Sequence, residues 1–140
     1  MTDPELQREI LLDHGHHPRG EGLLEPCDLR TEGSNADTGD VVQLTLRLEN
    51  DVIAAIGFTA QGSTVLRASC SMLVDSLTGK TRAEAAVLAD RFMALLKQEV
   101  DDEGWDGLGD AVALCGIRQF PARVRCAILP WRTVAGLLAE

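Results

Sequence analysis

Cys126 is the residue of this chain best placed to do chemistry. It stands in Phe120-Pro-Ala-Arg-Val-Arg-Cys-Ala-Ile-Leu-Pro-Trp131, after Arg123 and Arg125 and ahead of an apolar run. Pro130 fits a helix only in its first turn, so the spacing predicts a last helix that begins close to Cys126. A helix N-terminus and nearby arginines both stabilise negative charge, which predicts a lowered pKa and a favoured thiolate. Such a thiolate can bind a metal or accept sulfur. The alternative is a small buried hydrophobe, the commonest fate of a free cysteine.

Other chemistry-bearing residues are scattered. His14, His16 and His17 invite a metal reading, but Gly15 and Pro18 make their backbone irregular, and histidines at a helix C-terminus also satisfy carbonyls and the helix dipole. Asn35-Ala-Asp-Thr-Gly-Asp40 reads as a tight turn that delivers Asp40 to the mouth of a strand, with Gly39 free to take an unusual dihedral. Ser63, His14 and Asp40 are the residue types of a hydrolase, but no nucleophile-elbow motif accompanies them. The carboxylates between Asp101 and Asp110 lack the spacing and terminal Glu of a calcium loop.

The elements that must position these residues follow from periodicity and caps. Asp3-Pro4-Glu5 starts a helix that carries Leu6, Ile10 and Leu11 on one face and stops near His14-Gly15. Residues 20–40 read as a long loop. Val41 to Leu48 alternates with period two, Glu49-Asn50-Asp51 turns it, and Val52 to Ala60 returns as the second strand of a hairpin. Ser63 or Thr64 caps a helix to Thr78, ended by Gly79, with Val65, Ala68, Met72 and Leu73 as its apolar stripe and Cys70 at the edge. Thr81 and Glu84 form a capping box for a helix to about Val100. An acidic, Gly-rich linker, a short apolar turn containing Cys115 and a final helix through Leu138 complete the chain.

The totals exclude several classes. The 140 residues suit one domain, and 45% hydrophobic with 25% charged residues is an ordinary globular composition. No apolar run approaches the roughly 18 residues of a membrane span. The stretch from Met1 to Arg8 has neither a basic leader nor an apolar core, so a cytoplasmic protein is expected. Four cysteines without a C-x-x-C pair read as thiols in a reducing compartment. A net charge of −9 and no basic stripe argue against nucleic acid.

Asp13-His14 with Pro18-Arg19, the Asn35–Asp40 turn, Gly62-Ser63, Leu108-Gly-Asp110 and Phe120 to Cys126, in this order, resemble the SufU/IscU-type iron–sulfur scaffold family, also called the NifU N-terminal domain. The segment of about twenty residues before the last cysteine resembles the SufU branch. The resemblance covers nearly the whole chain. It implies a single α+β domain over 1–140, a small antiparallel sheet with helices packed mainly on one face. It also implies a site of three cysteines and one aspartate that holds zinc or a nascent cluster and receives sulfur from a cysteine desulfurase.

Carried over by position, the chain keeps Asp40 and Cys126 but has Thr38 and Ser63 where two ligand cysteines belong. Neutral hydroxyls are poor ligands where thiolates select zinc and clusters, so the resident metal is zinc, an iron–sulfur cluster, or none. Cys27, in the loop, and Cys115, before the last helix, are the thiols available to rebuild the site. The resemblance thus implies an iron–sulfur cluster assembly protein rather than an enzyme, a scaffold or sulfur-acceptor homologue. Cys126 is the acceptor thiol, Asp40 an oxygen ligand or proton-handling group, and Arg123 or Arg125 the thiolate's support. Its expected partners are a cysteine desulfurase and cluster carriers, with no small-molecule substrate. The alternative is a pseudo-scaffold that kept the partner surface and lost the chemistry.

Overall fold

The central hairpin forms where the alternation places it. In a computed structural model, which describes residues 3–139, β2 (Asp40–Glu49) and β3 (Val52–Gln61) pair antiparallel. Met1 and Thr2, the first residues of the stretch where no leader is expected, lie outside the described residues. Val42, Leu44 and Leu46 are fully buried on one face of β2, and Leu44 and Leu46 stand opposite Phe58 and Ile56. Asn50 and Asp51 take φ of 52° and 67°, the left-handed pair whose twist matches that of the flanking strands.

A third strand lies inside the segment expected to be loop. β1 (Leu29–Asn35) pairs antiparallel with β2, giving the order β1-β2-β3. Its sequence, Leu-Arg-Thr-Glu-Gly-Ser-Asn, carries one large apolar residue, so it shows no hydrophobic alternation. The backbone ladder and close packing hold it instead: a Cβ on Gly33 would collide with the Thr133 side chain of the last helix.

Helices α1 (Pro4–His16), α2 (Thr64–Leu77), α3 (Arg82–Leu96) and α4 (Pro121–Leu138), with a 3₁₀ segment at Gly109–Ile117, complete the α+β fold. Asp3 caps α1, Ser63 caps α2 through the Leu66 N–H (3.1 Å), and Thr81 with Glu84 forms the capping box of α3. α3 ends four residues before Val100, at a Gln98 with φ of 58°. The acidic linker is anchored rather than loose. Asp102 accepts two bonds from Arg118 (2.9 and 3.1 Å) and one from Trp105 Nε1 (2.9 Å), and these hold its carboxyl below the usual carboxylate range.

α4 corrects the expected helix start. It begins at Pro121, which at the first helical position sacrifices no hydrogen bond, and Pro130 lies in its interior. Side-chain bonds from α2 and from α4 itself hold two carbonyls just ahead of Pro130. Ser69 Oγ–H donates to Ala127 O (2.5 Å), and Thr133 Oγ1–H donates to Leu129 O (2.7 Å). Trp131 stacks on Phe92 of α3 (centroids 4.2 Å apart, planes at 18°) and donates to Ser69 Oγ (2.9 Å). Tertiary packing on several sides therefore carries a helix that propensity alone would break. Cys126 falls in the second turn of α4, not at its start. No helix among the described residues is long and apolar enough to cross a membrane.

Candidate functional site

Sheet register places three of the four expected positions at one edge. Asn35 pairs with Asp40 and Val41 with Gln61, so the 35–40 turn lies beside the end of β3 and the Gly62-Ser63 entry to α2. The turn closes through Gly39 N–H to Asn35 O (2.8 Å), with Gly39 at φ 75°. Asn35 then fastens the turn to α4: its Nδ2 donates to Arg125 O (3.0 Å), and its Oδ1 accepts from Arg132 (3.0 Å). This brings Cys126 over the turn. Thr38 Oγ1–H donates to Asp40 Oδ2 (2.8 Å), and a Cβ on Gly62 would collide with Asp40 Oδ1. Asp40, Ser63 and Thr38 are the side chains that act on the Cys126 thiol. Asp40 is 2% exposed and Cys126 7%.

The thiol's ionisation runs opposite to the sequence expectation. Burial and then the bond to Asp40 push the Cys126 pKa up, against smaller lowering contributions from Ser63 and Thr38. Neither Arg123 nor Arg125 is among the groups that act on it. Both side chains are exposed, and the Arg123 guanidinium stands 4.4 Å from the Phe120 ring centroid. A cysteine inside the helix gains little from the N-terminal dipole, which fades beyond the first turn.

As a metal site the donor set is one thiol, one carboxylate and two hydroxyls, with the Thr38 hydroxyl donating a hydrogen bond to Asp40. This set does not fit zinc or a cluster, both of which draw on thiolate charge and softness. None of the remaining cysteines is among the groups that act on the Cys126 thiol. All four are free thiols; Cys70 is fully buried, with its pKa raised chiefly by that burial. The Cys115 sulfur accepts from Gln7 Nε2 at 3.1 Å. Cys27 precedes the far end of β1, and the six steps from Leu29 to Asn35 separate it from the turn by about 20 Å.

His14 takes no part here. Its ring is fully buried, with Nδ1 2.7 Å from Ser71 Oγ and Nε2 2.9 Å from Asp110 Oδ2. The sequence reading assigned histidines in this region to capping; the structure gives capping to the His17 backbone and makes His14 a tie between α1, α2 and the 3₁₀ segment. The hydrolase combination of Ser63, His14 and Asp40 is thereby overturned. Nor is Ser71 a nucleophile, since it is fully buried and accepts the Arg19 N–H (2.9 Å). Ligand atoms of His14, Asp75 and Asp110 lie within 4.8 Å of one another, but both ring nitrogens of His14 are engaged and Arg19 approaches Asp75 to 4.0 Å. Ser71 and Asp110 escaped the sequence reading as partners, because only folding brings them to His14.

A cavity of about 920 Å³ opens in front of Cys126. Arg8 and Leu11 of α1, Ile117 of the 3₁₀ segment and Arg123 of α4 line it, together with Thr38 and Ser63.

These features define a class: a small α+β protein that gathers one thiol, one carboxylate and two hydroxyls where a turn, a helix cap and a helix meet. The chain belongs to the NifU-like N-terminal domain family, whose profile matches residues 6–127. It is 32% identical over 129 residues to the zinc-dependent sulfurtransferase SufU of Bacillus subtilis strain 168, covering 92% of this chain and 86% of that protein. It is 33% identical over 129 residues to the iron–sulfur cluster assembly scaffold protein IscU of Streptococcus pyogenes serotype M1, covering 92% and 80%. A solved structure assigned as an iron–sulfur cluster assembly scaffold for the SUF system of Fervidobacterium islandicum AW-1 superposes with a TM-score of 0.86. It is 25% identical, and the match covers 93% of this chain and 94% of that one.

Proposed function

We propose that this protein works in iron–sulfur cluster assembly as a sulfur acceptor: Cys126 takes a sulfane sulfur from a cysteine desulfurase and passes it on to a cluster carrier. The observation that carries this reading is that Asp40, Ser63 and Thr38 act on a single thiol, Cys126, that lines a cavity together with Thr38 and Ser63. Family membership and the resemblance to proteins described as a sulfurtransferase and as scaffolds support it. The thiol sulfur attacks the outer sulfur of a donor persulfide, the donor's S–S bond breaks, and Asp40 is placed to take the thiol proton. Sulfur thus passes through Cys126 without a resident metal on the chain's own side chains. Transfer rather than storage is the role that a one-thiol site supports, since holding a cluster needs several thiolates.

A second reading, a partner-binding pseudo-scaffold, is favoured by one observation: the Cys126 thiol is protonated more firmly than a free cysteine. Incubation with a purified cysteine desulfurase and cysteine, followed by mass spectrometry of the Cys126 peptide, separates the two. The acceptor reading expects a gain of one sulfur atom on Cys126. An unmodified Cys126, together with desulfurase binding that survives Cys126→Ser, makes the protein a pseudo-scaffold.

A further inference from the structure

Three of the chain's thirteen cationic residues, Arg8, Arg123 and Arg125, line the cavity in front of Cys126. Elsewhere on this acidic protein several cations have acidic partners: Arg19 meets Asp13 and Asp75, Arg67 meets Glu21 and Arg118 meets Asp102. Like Arg30, Arg47 and Arg132 elsewhere, the cavity's guanidiniums have no carboxylate within ion-pair distance among the described residues; what sets them apart is that three of them share one cavity. Asp37 is the one carboxylate on the lining, and Asp40 stands behind it bonded to the lining Thr38, so three guanidiniums against two acids leave the cavity with a surplus of positive charge in a chain of −9. Clustered cations repel, and low-dielectric walls focus their field into the cleft; an entering anion relieves that repulsion. Between the arginines the wall is apolar, with Leu11, Leu12, Val65 and Ile117. A volume of about 920 Å³ lies within the roughly 300–1,000 Å³ of small-molecule sites.

We propose that this cavity binds a small thiol compound bearing two or more carboxylates and that its persulfide form delivers sulfur to Cys126 directly. The inference rests on the reading of Cys126 as an acceptor and adds a donor class to it, where the sequence pointed to protein donors alone. Guanidiniums pair with carboxylates through two parallel hydrogen bonds, which fixes the ligand's orientation as well as holding it. The Cys126 sulfur then bonds to the outer sulfur of the persulfide while the donor's S–S bond breaks. The donor leaves as its thiol with the Cys126 proton, and Cys126 becomes the persulfide. One sulfane sulfur has moved, and no oxidant or reductant is consumed.

The test uses the full chain and glutathione, a tripeptide thiol with two carboxylates. Titration of reduced glutathione, followed by amide chemical shifts, is expected to saturate with shifts at Thr38, Ser63 and Ile117, and the dimethyl ester should bind much more weakly. Arg8→Gln, Arg123→Gln and Arg125→Gln should each lower affinity roughly tenfold, the loss of one charge-assisted bond. Arg30→Gln on β1, outside the cavity, should not. Glutathione persulfide should place sulfur on Cys126 at a rate that falls in the same three variants. Cys126 that accepts sulfur from a desulfurase but neither binds glutathione nor reacts with its persulfide overturns this inference and leaves the acceptor reading intact. Sulfur accepted from neither donor overturns the acceptor reading, and with it this delivery step. If the arginine variants lose only an acidic protein partner while glutathione never saturates, the face is a docking surface and the proposal falls.

Discussion

A carboxylate within reach of a thiol disfavours the thiolate, and at Cys126 it acts together with burial. The thiol should therefore react slowly with iodoacetamide at pH 7, and its rate should climb with pH through a midpoint above that of an ordinary cysteine. Asp40→Asn removes both the charge and the strong acceptor, so the midpoint should fall; a rate profile unmoved by the substitution would assign the shift to burial alone. The sign also bears on stability. A folded pKa raised above the unfolded value, about 8.5 for a free cysteine, gives a contribution that is complete below that pH and lost as pH rises through the folded pKa. Two hydroxyls where thiols would stand set a second expectation. The Thr38→Cys/Ser63→Cys double variant should retain near-stoichiometric zinc after dialysis and gain a zinc-dependent rise in Tm that a chelator abolishes, because the added thiolates supply the missing charge. Wild-type protein with equally firm zinc would refute the donor-set argument. Motif order in the sequence pointed to Thr38, Asp40, Ser63 and Cys126 as one group, whereas it gave no sign of the ionisation of Cys126. That ionisation depends on Asp40, which the sequence separates from Cys126 and only β2 and α4 bring to it.

At the scale of elements, whatever local chemistry decides was legible, and whatever neighbours decide was not. Asp3, Ser63 and the Thr81–Glu84 box start helices through bonds within one turn, and all three caps form as the residues predict. β1 has no pattern of its own and exists because β2 offers an open edge. The start of α4 was misplaced because Pro130 normally ends a helix, and Ser69, Phe92 and the sheet that stabilise it lie elsewhere in the chain. His14 is the element-scale fastening, and its removal tests how strongly α1 is held. His14→Ala leaves a buried Ser71 hydroxyl with one partner fewer and opens a cavity beneath α1, which should cost about 2–4 kcal/mol in urea unfolding. Asp110→Asn should cost less, because Asp110 is 51% exposed and the amide oxygen can still accept from the ring.

For the whole molecule, one contiguous cluster of buried side chains joins the sheet to α2, α3, the 3₁₀ segment and α4. Trp131 lies in it at 0% exposure, stacked on Phe92 and bonded to Ser69, so a single indole reports on three helices at once. Because no element buries its apolar face independently of this cluster, loss of tertiary packing and loss of helix should coincide. Tryptophan fluorescence and far-ultraviolet circular dichroism should trace the same urea transition, with one midpoint. Trp131→Ala should lower stability by about 3–5 kcal/mol, and the two signals should still coincide in the variant. Separate midpoints would place α1, which packs Ile10 and Leu11 against the main cluster and is tied to it through His14, in a unit that opens by itself. As α1 forms one wall of the cavity before Cys126, such opening would expose the thiol without unfolding the sheet. Cys126 alkylation followed across the transition distinguishes the cases: it tracks the fluorescence midpoint if the molecule unfolds as one body and precedes it if α1 leaves first.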